Sequence, residues 1–336
     1  TLMRSSAASD VYKRQLEWIG TFHSICVRIL RSEIGFLGRS SNFKIVDDED
    51  CKTILKGIYE ELKLDKNKLS YKTAQSIIDI IKTNMYDLDD LNSYDVQRKL
   101  KIDNDQMLWM VKMIYQRYIK KFEDYNYLDF NDLLNFTNLI FENNPEARIK
   151  WGQRFKYILV DEFQDTNPAQ YQLIEYLGGE KFNIFAVGDE DQIIYSFRGA
   201  DSTVIDRFVN HFEGKKIPIL KLEENYRSTN QILYVANDLI AKNKGRVTKN
   251  LFSFKQDHIK PIVHQSLSNY EEGNFVANKI AELIKEGVEP KEIAILYRSN
   301  HLSRTYEQAL IYNDIQYNLY GGFKFYQRSE IKDILA

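Results

Sequence analysis

The sequence is poor in residues that cross-link a fold or hold a metal. Cys26 and Cys51 are the two cysteines among 336 residues, which excludes a disulfide-built scaffold and suits a reduced, cytoplasmic compartment. Both fall in apolar stretches that read as helical, so they are expected to be inert thiols. His23, His211, His258, His264 and His301 show no metal-ligand spacing with those cysteines. No apolar run approaches the ~18 residues a membrane span needs. No charged-then-apolar leader opens the chain. A dominant charge is missing as well, because 46 Lys and Arg against 48 Asp and Glu leave a net charge of -2. A protein that reads duplex grooves carries a basic face, and this balance does not advertise one. The phosphate-cradling pattern G-x-x-x-x-G-K-[ST] is also absent. The one Gly-Lys pair, Gly214-Lys215, is followed by Lys216, and Val209 stands where the first glycine belongs.

What is present is an ordinary globular composition, 43% hydrophobic and 28% charged, with length enough for two or three domains. Tyr157-Ile158-Leu159-Val160 is a short apolar run that ends on Asp161-Glu162. Such a run reads as a strand buried on both faces. Its carboxyl end is where open α/β sheets bind ligands. A carboxylate pair there is costly to bury unless a metal, a cation or a reacting group uses it. Asp161 would hold a magnesium ion and Glu162 would take a proton from an attacking water, the Walker B half of a nucleotide triphosphatase. By itself the pair fits a strand and a polar turn equally well.

The following segments break that tie. Phe182 to Val187 is again apolar and ends in Gly188-Asp189-Glu190-Asp191-Gln192, followed by Ile193-Ile194-Tyr195-Ser196-Phe197-Arg198-Gly199-Ala200. A third run, Ile217 to Leu222, leads into Glu223-Glu224-Asn225-Tyr226-Arg227-Ser228-Thr229. These segments resemble motifs II, III and IV of superfamily 1 helicases of the UvrD/PcrA/Rep type. Thr21-Phe22-His23-Ser24 is similar to that family's DNA-contacting TFHS motif. Gly321 to Tyr326 and Glu330 to Asp333 resemble the segment that precedes its 2B insertion. The resemblance runs from about Leu16 to the last residue.

The resemblance implies an α/β fold: a RecA-like P-loop NTPase core, present as partial 1A and partial 2A, with an inserted all-helical 1B subdomain. Residues 1–15 stand outside the pattern and look like cloning or adaptor sequence. Residues 16–42 and 126–216 would form core 1A. Residues 43–125 would form 1B, since Val46 to Asp50 reads as a helix start with acids in its first turn. Two apolar stripes follow: Ile54, Leu55, Ile58, Tyr59 and Leu62, then Leu108, Val111, Met113, Ile114 and Tyr118. Lys52, Lys56, Lys63, Lys66, Lys68 and Lys72 read as a solvated face. Residues 217–336 would form the first part of 2A, with strands at Ile217–Leu222, Pro261–Gln265 and Ile293–Tyr297 and helices near Asn230–Ala241 and Glu272–Glu286. With no Walker A, no 2B and no motifs V and VI in the chain, the resemblance implies an internal helicase piece, inactive alone.

The cofactors implied are ATP and Mg²⁺, with Asp161 on the metal and Glu162 the base. Gln192 would sense the γ-phosphate, Arg227 would reach it with a planar donor fork, and Tyr226 would stack on adenine. Tyr195 and Phe197 would stack on single-strand bases, a mode that needs little net charge, and the 13% aromatic content permits it. The family usually has Trp at the place of Phe197. Arg198 would bridge the nucleotide and DNA sites. Thr21, Phe22 and His23 would face the DNA backbone, while Tyr157 and Phe163 belong to the core. The implied partners are single-stranded DNA, single-strand/duplex junctions, and repair or replication proteins. The implied activity is 3′→5′ translocation and unwinding. A non-catalytic single-strand-binding module and the helicase part of an AddA/RecB-type helicase-nuclease remain open alternatives.

Overall fold

A computed structural model describes residues 18–193, 203–211, 217–243, 248–255 and 259–320. The chain divides into two compact units. One comprises 1–223 with 238–250 and the other 224–237 with 251–336.

The first unit begins with α1 (Phe22–Glu33), capped by the Thr21 hydroxyl, which accepts the Ser24 N–H. β1 (Lys44–Ile45) pairs in parallel with β2 (Tyr127–Leu128), Lys44 opposite Tyr127 and Ile45 opposite Leu128. Between them lie α2 (Asp48–Glu61), α3 (Tyr71–Thr83), α4 (Tyr94–Leu100) and α5 (Asp105–Asp124). The acid-rich start of α2 closes a capping box between Asp47 and Asp50. Ser70 and Asn104 cap α3 and α5. The expected stripes face inward apart from Met113, which is half-buried and outside the cluster: Leu55, Ile58, Tyr59, Val111, Ile114 and Tyr118 are buried together, with Ile54, Leu62 and Leu108 against the cluster's edge. Lys52, Lys56, Lys63, Lys66, Lys68 and Lys72 are all exposed.

Lys82 on α3 behaves differently. Its side chain is buried, with Nζ 2.6 Å from Asp129 Oδ2 and 2.8 Å from Asp132 Oδ1. Those two acids also form the capping box of α6 (Phe130–Asn143). The Tyr118 hydroxyl donates to Asp129 Oδ2 at 3.1 Å and lies 3.2 Å from Cys51 Sγ. Burial pulls the Lys82 ammonium toward neutrality, yet the Asp132 and Asp129 carboxylates outweigh it and hold its pKa up at about 12. This cluster ties the four-helix block to α6.

α6 packs with α1, α7 (Pro145–Arg154) and α8 (Pro168–Gly178) around Cys26, Ile29, Leu133, Phe141, Trp151 and Leu173. Both α7 and α8 start with an Asn cap followed by Pro at the first helical position. Cys26 and Cys51 are free and buried, and burial pushes both thiols up to about 12, as inert thiols require. β3 (Ile158–Val160) pairs in parallel with β4 (Ile184–Ala186), and α9 (Val204–Val209) follows. β3 is not buried on both faces as its apolar run suggests: Val160 is 7% exposed, but Leu159 is 78% and Tyr157 75% exposed. Tyr157 is therefore not a core residue, whereas Phe163 is, at 2%. A two-strand parallel pair has too few neighbours to cover both faces.

The second unit contains α10 (Asn230–Ile240, which runs past the unit boundary), α11 (Asn269–Lys285) and α12 (Ser303–Tyr312); the first two match the helices expected there, and α12 was not expected. α11 and α12 pack closely through Ala277, Ile280, Ala309 and Leu310. Gly273 permits this, because a Cβ there would meet the Thr305 carbonyl oxygen at 2.9 Å. Among the described residues, the three segments expected as strands at 217–222, 261–265 and 293–297 have no ladder partner. A parallel strand gains its stability from ladder partners and covered faces, and Leu222, Val263 and Leu296 are exposed. Among the described residues no helix is long and apolar enough to cross a membrane. The segments 1–15, Gly321–Tyr326 and Glu330–Asp333 lie outside the described residues.

Candidate nucleotide site

The parallel pairing of β3 and β4 sets their carboxyl ends side by side. The ladder continues past both strands: the Val187 N–H donates to the Val160 carbonyl at 2.8 Å and the Phe163 N–H to the Val187 carbonyl at 2.9 Å. Asp161-Glu162 and Gly188 to Gln192 therefore emerge at one end of the sheet. Both carboxylates of the pair are exposed, so the pair is not a buried charge needing compensation. Asp161 Oδ1 accepts the Glu162 N–H at 3.0 Å. Glu162 has φ 50° and ψ 43°, a left-handed backbone unusual for a side chain of this kind. The 3-10 turn Phe163–Asp165 follows, pinned by the Phe163 ring against Tyr171 and Phe208. Burial, and then the Glu162 charge, raise the pKa of Asp165.

Gln164 lies beneath the pair, 1% exposed. Its Nε2 donates to Glu162 Oε2 at 2.8 Å, and its Oε1 accepts the Asp189 N–H at 2.9 Å. Asp189 caps the next turn by accepting the Asp191 N–H at 3.0 Å, and its Oδ2 accepts from Gln192 Nε2 at 2.8 Å. Lys249 forms ion pairs with Asp189 and, at 3.2 Å, with Asp191. Sequence reasoning missed both Gln164 and Lys249. Gln164 sits in the motif between two acids that draw attention from it, and Lys249 stands in a stretch without a legible pattern.

The other described candidates lie at the start of α1 and in the second unit. The Thr21 hydroxyl is engaged as the cap of α1. Phe22 bridges two apolar clusters. The His23 ring stands edge-on to Phe130 at 5.5 Å, and burial lowers its pKa. In the second unit, Asn225 Oδ1 accepts the Arg227 N–H at 2.9 Å and the Ser228 N–H at 2.7 Å, an Asx turn that leads toward α10. Tyr226 is exposed, and a hydrogen bond with Glu224 raises its pKa. Lys255 Nζ donates to the Arg227 carbonyl at 2.9 Å. Tyr195, Phe197 and Arg198 lie outside the described residues. Among the described residues no three of His, Cys, Asp and Glu are grouped to hold a metal.

Comparison with known proteins gives two family matches. Residues 2–213 match the UvrD/REP helicase N-terminal domain, and residues 220–336 match the UvrD-like helicase C-terminal domain. The chain is similar to the ATP-dependent DNA helicase PcrA of Bacillus subtilis, 40% identical over 320 residues, which is 95% of this chain and 42% of that protein. It is 37% identical to DNA helicase II of Haemophilus influenzae over 319 residues, again 95% and 42%. A PcrA helicase of Staphylococcus epidermidis is 36% identical over 322 residues, 96% of this chain and 43% of that protein. The chain thus spans about two-fifths of the length of the curated relatives it matches.

Proposed function

The chain belongs to the UvrD/REP helicase family, and on that premise we propose that it acts in an ATP-driven, 3′→5′ single-strand DNA translocase and helicase of DNA repair or replication. The observation that carries the reading is the adjacency of two acid-tipped strand ends, joined from Glu162 to Gln192 through Gln164 and Asp189. ATP hydrolysis in such motors is mostly positioning and charge neutralisation around the γ-phosphate. Asp161 is the residue that would hold Mg²⁺. An exposed carboxylate suits that ion, which takes one or two protein carboxylates together with phosphate oxygens and water. When bound, Mg²⁺ supplies positive charge to the phosphate oxygens.

Glu162 then acts as general base, removing a proton from the attacking water at its carboxylate. Gln192 and Arg227 act as polar contacts to the γ-phosphate, and Tyr226 offers a ring face to the adenine. On the DNA side, Tyr195 and Phe197 stack on bases, Arg198 links the two ligands' sites, and the Thr21–His23 segment faces the strand's backbone. The helical block 43–125 corresponds to the inserted subdomain 1B. Its separate core and the β1–β2 pairing that closes its ends support that reading. Residues 16–42 and 126–216 correspond to core 1A and 217–336 to 2A. Localisation follows the DNA, in the cytoplasm.

The test is Glu162→Gln in the full-length gene product. The amide keeps the shape but cannot accept the proton. DNA-stimulated phosphate release is expected to fall by about 10²-fold or more, while Mg-ATP binding measured by calorimetry persists. Turnover near wild type would show that another group is the base.

A further inference from the structure

We infer that Gln164 is a positioning residue for hydrolysis, one that orients the Glu162 carboxylate and ties that orientation to the backbone of the Gly188–Gln192 segment. This rests on the reading of Glu162 as base.

Both ends of the buried amide are in use, and in opposite senses. Nε2 donates to Glu162 Oε2 at 2.8 Å and Oε1 accepts the Asp189 N–H at 2.9 Å. A flipped amide would set its oxygen against a carboxylate and its NH₂ against an N–H, so only one orientation satisfies both neighbours. The pairing also leaves no slack around it. A Cβ on residue 188 would lie 2.8 Å from Gln164 Oε1, 3.2 Å from its backbone N and 3.3 Å from Phe163 Cβ. Gly188 is thus required for the second strand end to approach Gln164 this closely.

The turn that carries Gln164 is held by buried Phe163, whereas the Glu162 side chain is exposed and has three rotatable bonds of its own. A donor fixed at 2.8 Å removes much of that freedom before substrate arrives, and pre-set geometry of this kind is where catalytic effect resides. The line continues outward: Asp189 Oδ2 accepts from Gln192 Nε2 at 2.8 Å. Three hydrogen bonds therefore run from the base to the side chain proposed to meet the γ-phosphate. A displacement of the 188–192 backbone would be transmitted to Glu162 through one amide.

The experiment uses Gln164→Met, which keeps the volume and removes both hydrogen bonds. Gln164→Glu keeps the acceptor for Asp189 but sets a second carboxylate against Glu162. Both are made in the full-length gene product beside Glu162→Gln, and steady-state ATPase is measured with saturating single-stranded DNA. The expected result is a kcat loss of about tenfold to a hundredfold for each, the scale of a misplaced reacting group, with KM for ATP within twofold of wild type. The double variant Glu162→Gln/Gln164→Met is expected to be no slower than Glu162→Gln alone. Wild-type kcat in Gln164→Met alongside an inactive Glu162→Gln would overturn the inference and leave the base assignment standing. Near-wild-type turnover in Glu162→Gln would remove the assignment and the inference with it. If Gln164→Met does not fold, Gln164→Glu decides by the same kcat criterion. A further loss in the double variant would show Gln164 acting apart from Glu162, which also overturns the inference.

Discussion

The helical block between β1 and β2 and the second unit both contain strongly apolar segments, and they use them in opposite ways. In the block, Leu55, Ile58, Ile81 and Ile114 are all but fully buried. In the second unit, Ile262, Val263, Leu267 and Leu296 lie in solvent, and the described core is the small contact of α11 with α12. The difference lies in how each kind of backbone satisfies itself. A helix closes its own hydrogen bonds and needs one covered face. A strand needs partners on both sides, and a parallel strand needs both faces covered. Segments written as central strands therefore stay unpaired until a whole sheet forms, while the helices of the block already hold together around their shared core.

The largest expected effect that tests this contrast is on Lys82. Lys82→Met removes the cation that pairs with two buried carboxylates and is expected to destabilise the block by about 3–5 kcal/mol, read from urea melts followed by circular dichroism. If the loss is under about 1 kcal/mol, water reaches Asp129 and Asp132 and the block's tie to α6 is looser than its geometry indicates.

A matched pair comes next. Leu55→Ala should cost about 2–5 kcal/mol, because it opens a cavity in a packed core. Val263→Ala should stay within about 0.5 kcal/mol, as substitutions at exposed positions do. Equal losses at the two positions would break the comparison, since Val263 would then have to be covered in solution.

An alkaline titration sharpens the contrast further. Cys51, Tyr59 and Lys82 in the block have folded pKa values raised to about 12, from 9.0, 10.0 and 10.5. Each keeps a proton that the unfolded chain releases sooner. The stability they contribute is complete below pH 9 and is lost as pH rises through about 12. The urea midpoint of the block should fall between pH 8 and pH 11, and Lys82→Met should flatten the upper part of that fall. A midpoint that rises over this range contradicts the assignment.

Much of this was legible in the chain. The acids at Val46 to Asp50 marked the start of α2 because an N-terminal cap is a local device. The stripes of α2 and α5 marked a core because helical period and burial coincide. Asp161-Glu162 stood out because an apolar run stops there. The failures share a cause. Leu159 and Tyr157 face solvent although their run reads as buried, because coverage depends on neighbouring strands and not on the run itself. The expected strands at 261–265 and 293–297 failed for the same reason. Lys82 and Gln164 were invisible for another: each is a polar residue whose partners are set by tertiary contact. Asp129 and Asp132 lie 47 and 50 positions from Lys82, and Asp189 lies 25 from Gln164. No local pattern announces such pairs.

The β1–β2 pairing has a consequence for how such a chain can be cut and rejoined. Lys44 lies opposite Tyr127 and Ile45 opposite Leu128, so the block leaves the surrounding core and returns to it at one place. An excursion of that kind is a cassette: it can be gained, lost or exchanged in a single genetic event without rethreading the rest. A short linker across the stem would close the gap, and closing a short loop costs less entropy than closing a long one. The cassette does not come away clean, however, because its removal takes Lys82 and strands two acids at the start of α6. A transplant that respects the chemistry would carry Asp129→Asn and Asp132→Asn with the deletion, so the unit of exchange is the block together with those two positions.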